Sequence, residues 1–302
     1  MNTQANATFG PGAQPRDIAS SITAAVRPLY WSVRRELWEN RSIYLAPLAA
    51  AGLYLIGFAI NAVRQRLHHG IALFEGHSVP HQDELAPALI MGVALIVSIF
   101  YSLDALYGER RDRSILFWKS LPVSDTTAVL AKLAIPVLIL PLLSFLITVA
   151  TLVLMLAISS VVFAGSGVSI AGTWTLASFL RVPGIWLYHF VTVHGLWYAP
   201  LYAWLFLVSA WAPRAPFMWG FLPPFVVYGV EKIAFNTSYF LNMLQYRLIG
   251  PSGGMATEHQ HDVASTLIPH HFLSTPGLWT GLAVAAVFLY ATVQLRRSRG
   301  PI

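Results

Sequence analysis

The stretch "ERRDRSILFWKSLPVSD", residues 109–125, decides the fold. Seven of its seventeen residues are charged, in a chain where only 11% are. It is bracketed by "APALIMGVALIVSIFYSLDALY" (86–107) and "LAIPVLILPLLSFLITVATLVLMLAISSV" (133–161). Each flank is long enough to cross a bilayer, since a helix needs roughly 20 apolar residues to traverse the hydrocarbon core. A charged loop held between two such runs belongs at a membrane surface.

Four further apolar runs lie outward from this loop, at 43–63, 185–211, 216–235 and 276–295. The chain is therefore expected to be an all-α integral membrane protein with six transmembrane helices. The runs 133–161 and 185–211 exceed one crossing, which predicts tilt or extension past the bilayer. Pro136 and Pro141, and the Pro223-Pro224 pair, each remove a backbone donor and predict kinks. Composition agrees: 56% of the 302 residues are hydrophobic, and mean hydropathy is +0.60. Soluble domains carry roughly 25% charged residues. There is no cysteine, which excludes disulfides, thiolate metal sites and cysteine nucleophiles. The first 17 residues are polar, read as disordered, and lack the apolar core of a secretory signal.

Basic residues set the orientation. With the N-terminus in the cytoplasm, fourteen Lys and Arg fall in inner segments and five in outer ones. Both termini are then cytoplasmic, which an even number of spans requires. The net charge of +6 is that of a cytoplasmic-membrane protein with basic inner loops, and nucleic acid is not an expected partner. Eight of the ten histidines fall in outer segments. The layout is a cytoplasmic tail and amphipathic helix over 1–42, a transmembrane domain over 43–295 and a basic tail over 296–302. The transmembrane domain includes the inner loop 108–125 and a long outer segment, 236–275.

Before the first span, Ile18, Ile22, Val26, Leu29, Val33 and Leu37 recur at helical intervals and form one apolar stripe. Trp31, Arg34, Arg35 and Trp38 supply aromatic and basic groups. This predicts an interfacial helix with its apolar side among the acyl chains, serving as a lipid anchor or also as a grip on a partner. Pro28 suits a first helical position, so the helix is expected to start there. In the charged loop, Glu109 and Arg113 are spaced for an i,i+4 ion pair. Ile115, Trp118 and Leu121 share a face, Pro122 ends the helix and Asp125 is placed to cap the next span. Arg and Lys alone would make a plain positive-inside loop. A loop that also holds Glu109, Asp112, Phe117 and Trp118 reads as a docking knob.

"YGERRDRSILFWKSLPVSD", with Lys132 seven residues on, resembles the loop between the second and third spans of type-2 ABC-transporter permeases. The likeness is strongest over about 101–140, and the layout of an amphipathic helix before six spans adds to it. It implies the membrane subunit of an exporter, paired with a second protomer, a homodimer more readily than a heterodimer. Each protomer would be bound to a cytoplasmic ABC ATPase. It gives Glu109, Arg110, Arg111, Asp112, Arg113, Phe117, Trp118 and Lys119 the part of an ATPase-coupling helix, beside an interface helix carrying Trp31, Arg34, Arg35 and Trp38. The chain has no G-x-x-x-x-G-K-[ST], the phosphate-cradling loop. ATP and Mg are therefore expected on the partner, with no cofactor on this chain, and no catalytic residue is assigned.

On the outer side, "SYFLNMLQYRLI" (238–249) reads as a short amphipathic helix. Glu231 and Lys232 are expected to snorkel at the end of their span. His68, His69, His77, His81, "EHQHD" (258–262), His270 and His271 open the alternative of an integral-membrane metal-dependent enzyme. They lack the spacing of a metal motif, so no metal site is assigned. His189 and His194, five apart, do not share one α-helical face and are expected to be hydrogen-bonded bundle residues. A non-transporting membrane scaffold is the remaining alternative.

Overall fold

The computed structural model describes residues 15–68, 82–120, 123–164, 176–249 and 272–302. Their regular structure is all helical, with no strand among them. The helices are α1 (Pro15–Glu39), α2 (Ser42–His68), α3 (Gln82–Asp104), α4 (Tyr107–Arg111), α5 (Ile115–Ser120), α6 (Asp125–Ala134) and α7 (Leu140–Val162). They continue as α8 (Leu176–His189), α9 (Ala199–Trp211), α10 (Pro216–Phe235), α11 (Tyr239–Ile249) and α12 (Pro276–Ser298). Most of the outer histidines, Pro122 and residues 1–14 lie outside the described residues.

Among the described residues four helical stretches are long and apolar enough to cross a membrane: Ser42–Leu67, Leu85–Arg111, Asp125–Val162 and Pro276–Ser298. A bent pair, Pro183–Trp197 and Ala199–Trp211, passes the same test together with a 45° bend, the shape of a broken span or a re-entrant loop. The run expected as another span forms α10. Its three prolines, Glu231 and Lys232 leave it less apolar than the others. The exterior is greasy: Leu53, Ile60, Phe225, Ile233 and Val287 all lie exposed, Ile233 by 88%. So large an apolar surface suits lipid and not water, as in a multi-pass membrane protein.

The bundle packs α9 against α12, α2 against α3 and α7, and α3 against α7 and α9. One core cluster joins Ile43, Tyr101, Leu106, Val129, Leu140 and Phe206 near the charged loop. Another, aromatic, joins Trp197, Tyr198, Tyr202 and Phe272 at the far end of α9.

Pro136 acts through a π-helical turn. The span around Pro136 runs from Asp125 to Val162 and changes to a π-helix at Ile135–Ile139. The wider turn absorbs the donor that Pro136 lacks. A second π-segment, Phe190–Trp197, leads into the bend before α9. The two π-segments pack together. Gly195 permits this approach, because a Cβ there would lie 3.1 Å from the Val137 carbonyl oxygen. The same π-turn changes the reading of the histidines: a separation of five is the hydrogen-bond step of a π-helix. His194 is fully buried, with Nε2 3.3 Å from the Tyr202 hydroxyl.

Two features of α1 differ from expectation. The helix does not start at Pro28 but runs through it from Pro15. Where its side chains are described, the apolar stripe is partnered by the bundle: Val33 and Leu37 pack against the core cluster around Ile43 and Leu106. The bundle supplies a larger apolar partner to that face, so α1 lies on α6.

Candidate functional site: the charged loop and its anchor

The charged loop forms two short helices, α4 and α5, and not one. The break falls at Arg113, which is exposed and left-handed with φ of 60°, a conformation costly for a residue with a Cβ. Glu109 therefore makes no i,i+4 pair with Arg113. The start of α4 is held from outside: the Ser209 hydroxyl on α9 accepts from Leu106 N at 3.0 Å and Tyr107 N at 2.9 Å. The cap of α6 is Ser124, whose hydroxyl accepts from Thr127 N at 3.1 Å. Asp125 is one residue inside the helix, so its carboxylate is free to bind elsewhere.

Beneath the loop lies a buried ion cluster. Lys132 Nζ on α6 is 2.8 Å from Glu36 Oε1 on α1 and 3.2 Å from Glu109 Oε1 on α4. Tyr101 on α3 donates its hydroxyl to Glu36 Oε2 at 2.8 Å. Arg296 on α12 binds the other oxygen of Glu109, and its Nε reaches Asp125 Oδ1 at 3.0 Å. Arg35 completes the set, 4.0 Å from Glu109 and bidentate to Glu39. Glu36, Glu109, Lys132 and Arg296 are all buried. Three acids, Glu36, Glu109 and Asp125, meet three bases, Arg35, Lys132 and Arg296. Such a set survives burial because each desolvated charge has a close partner. Removing one partner strands the rest.

The loop is also bolted to the chain's end. Arg110 donates to the carbonyls of Ala210 at 2.7 Å and Ala212 at 3.3 Å, and accepts at its own carbonyl from Ile302 N at 3.2 Å. Lys119 Nζ donates to the carbonyls of Arg297 and Arg299. Arg111 donates to Asp112 at 2.9 Å, and that bond holds the exposed Asp112 carboxyl below its ordinary range.

The structure thus divides the loop residues. Glu109 and Arg110 are buried and turned to the bundle. Trp118 is half-buried, with the Arg35 guanidinium 3.1 Å above its ring centre. Its indole N–H has no acceptor among the described residues. Lys119 lies against the tail. What faces outward is Arg111, Asp112, Arg113, Leu116 and Phe117, the last two each 59% exposed. A cleft of about 200 Å³ separates α1 from the loop, lined by Trp31, Arg35, Glu36, Glu109, Trp118 and Lys132 among others. On α1, Trp31, Arg34 and Trp38 point outward while Arg35 turns in.

Glu36 and Arg296 are missed by a reading of the loop alone. The signal was present: Glu36 sits among Val33 and Leu37, on the side of α1 that faces the bundle, where a lone acid needs a buried base. Glu231 is a second correction. It does not snorkel but caps α11, accepting from Tyr239 N at 2.5 Å, Phe240 N at 2.9 Å and the Thr237 hydroxyl at 2.7 Å. Among the described residues no three His, Asp or Glu side chains gather as a metal site.

The chain matches no protein-family model, no curated protein and no solved structure.

Proposed function

We propose that the chain is the six-span permease subunit of a type-2 ABC exporter, with both termini cytoplasmic in the cytoplasmic membrane and two copies forming the transport unit. A separate ATPase docks on the outward side of the 109–125 loop. Leu116 and Phe117 fill a groove on it, and Arg111, Asp112 and Arg113 set its orientation. Apolar and aromatic anchors of this kind dominate most protein contacts, and rim charges steer the encounter. Substrate moves between the protomers.

One observation carries the reading: Glu109, at the root of the loop, is gripped by Lys132 and Arg296 from two spanning helices while Lys132 also grips Glu36 of α1. A plain positive-inside loop needs no buried acid. A loop that must pass force to α1, α6 and α12 needs a stiff joint at its base, and this cluster is one.

The test is co-purification. Wild-type chain should bring down a P-loop ATPase encoded beside it. Leu116→Ala with Phe117→Ala should leave the chain folded and inserted yet lose the ATPase, while His194→Ala, remote from the loop, should keep it. A double variant that retains its ATPase would reduce the loop to an anchor. Reporter fusions after Arg299 and within 109–125 should read as cytoplasmic, and fusions at Gly76 and Gly254 as external. A cytoplasmic signal at Gly254 would sink the six-span arrangement.

A further inference from the structure

The outward face of α1 is not the apolar one. Arg27, Trp31, Arg34, Trp38 and Arg41 follow one another at steps of 4, 3, 4 and 3, so the four within α1 share one face and Arg41 continues the line at the turn into α2. All five are exposed, Trp31 by 52% and Trp38 by 71%. The Arg34 guanidinium lies 5.1 Å from the ring centre of Trp31 and 5.1 Å from that of Trp38. It is held between two indoles, and its N–H groups donate to no acceptor among the described residues. Among the described residues Arg27, Arg34 and Arg41 pair with no carboxylate. The acids nearby are engaged elsewhere: Glu36 with Lys132, and Glu39 with Arg35.

We propose that this Arg-Trp ladder binds the phosphates of anionic phospholipid headgroups. The charge is complementary, and the guanidinium fork matches phosphate geometry. Indole is the side chain favoured at the level of headgroups. Position points to lipid over protein: the ladder runs directly into α2, a spanning helix, through only Asn40 and Arg41. Its top rung therefore stands where a span leaves the membrane. The opposite face of α1 packs on α6, and among the described residues no carboxylate pairs with the ladder's arginines. The proposal rests on α2 being a membrane span with α1 on its cytoplasmic side, as in the reading above, and not on the ATPase.

The experiment uses the purified full chain in neutral detergent. Native mass spectrometry titrates it with phosphatidylglycerol and, separately, phosphatidylcholine. The wild type should hold at least one phosphatidylglycerol molecule well over tenfold more tightly than phosphatidylcholine. Arg27→Gln with Arg34→Gln and Arg41→Gln should weaken that lipid on the order of 100-fold, at about fivefold per basic residue, with phosphatidylcholine unchanged. Trp31→Leu with Trp38→Leu keeps the charge and should give a smaller loss. Arg214→Gln, an exposed arginine elsewhere, should change nothing. All these side chains are exposed, and an unaltered melting temperature will show that the variants fold. The proposal fails if the wild type does not prefer phosphatidylglycerol or if the triple variant retains it. Displacement of the bound lipid by millimolar inorganic phosphate would make this a soluble-phosphate site and overturn the lipid assignment. A triple variant that keeps its lipid but loses ATPase co-purification would make the ladder a protein-docking face. Failure of the ATPase reading alone leaves the lipid result untouched.

Discussion

Gly277 and Arg296 sit at the two ends of α12, nineteen residues apart, roughly 28 Å at 1.5 Å per residue. That is about the thickness of the hydrocarbon core. The two ends are fastened by different chemistry. At the Arg296 end, side chain binds side chain: Glu36, Glu109 and Asp125 share Lys132 and Arg296. At the Gly277 end, side chain binds backbone. Arg247 donates to the carbonyls of Gly277 at 2.8 Å and Trp197 at 3.4 Å. Trp197 Nε1 donates to the Arg247 carbonyl at 2.9 Å, and the Tyr198 hydroxyl donates to the Leu248 carbonyl at 2.8 Å. The Arg247 guanidinium fills the space that a Cβ at Gly281 would need.

The difference is mechanical. A side chain locked to backbone has one fit, so α11 is fixed to the bundle. An ion cluster with shared partners can exchange them while each charge stays paired. Both joints hold their helices, but the Glu109 joint is side chain to side chain and can be rescued by exchanging a partner, whereas the acceptors of Arg247 are backbone. Substitutions can break or sharpen this contrast.

The largest effect should follow from Lys132→Met. It strands Glu36 and Glu109 in a buried site, and breaking such a pair costs about 3–5 kcal/mol. Thermal unfolding in detergent will measure it. Adding Glu36→Leu should restore part of the loss, because the two residues are one unit. Strict additivity of the pair would break the cluster into independent contacts. Arg247→Met comes next. It removes charged hydrogen bonds to carbonyls, worth about 1.5–3 kcal/mol. No single partner exchange should rescue it, since its acceptors are backbone. Leu116→Ala with Phe117→Ala should change stability by less than about 0.5 kcal/mol, as exposed positions usually do, while abolishing ATPase co-purification. A large stability loss there would place these residues in the folded core and not on a docking face.

Much of the bundle was legible in sequence because hydrophobic length is a strong signal. The spans over 43–63, 86–107, 133–161 and 276–295 all fall within long helices. The amphipathic helix of 238–249 is α11. What escaped was set by tertiary context. Ser209 caps α4 from about a hundred residues away, which no local pattern shows. Pro28 breaks helices by rule, but α1 continues through it, and its downstream half is packed on α6. The i,i+4 spacing of Glu109 and Arg113 promised an ion pair, but Lys132 and Arg296 offered Glu109 a buried site with two bases. Charge within the loop marked the region that ion pairs and hydrogen bonds tie to α1, α6, α9 and α12. It did not separate Glu109 and Arg110, which hold the loop, from Phe117, which faces outward.

The central claim is that Phe117 faces the cytoplasm and is covered by an ATPase. The chain has no cysteine, so Phe117→Cys gives a single reactive thiol. A membrane-impermeant maleimide should label it in inside-out vesicles and not in right-side-out ones. Labelling in inside-out vesicles should fall sharply when the adjacent ATPase is co-expressed. Labelling from the right-side-out face, or labelling that the ATPase leaves unchanged, would contradict the account.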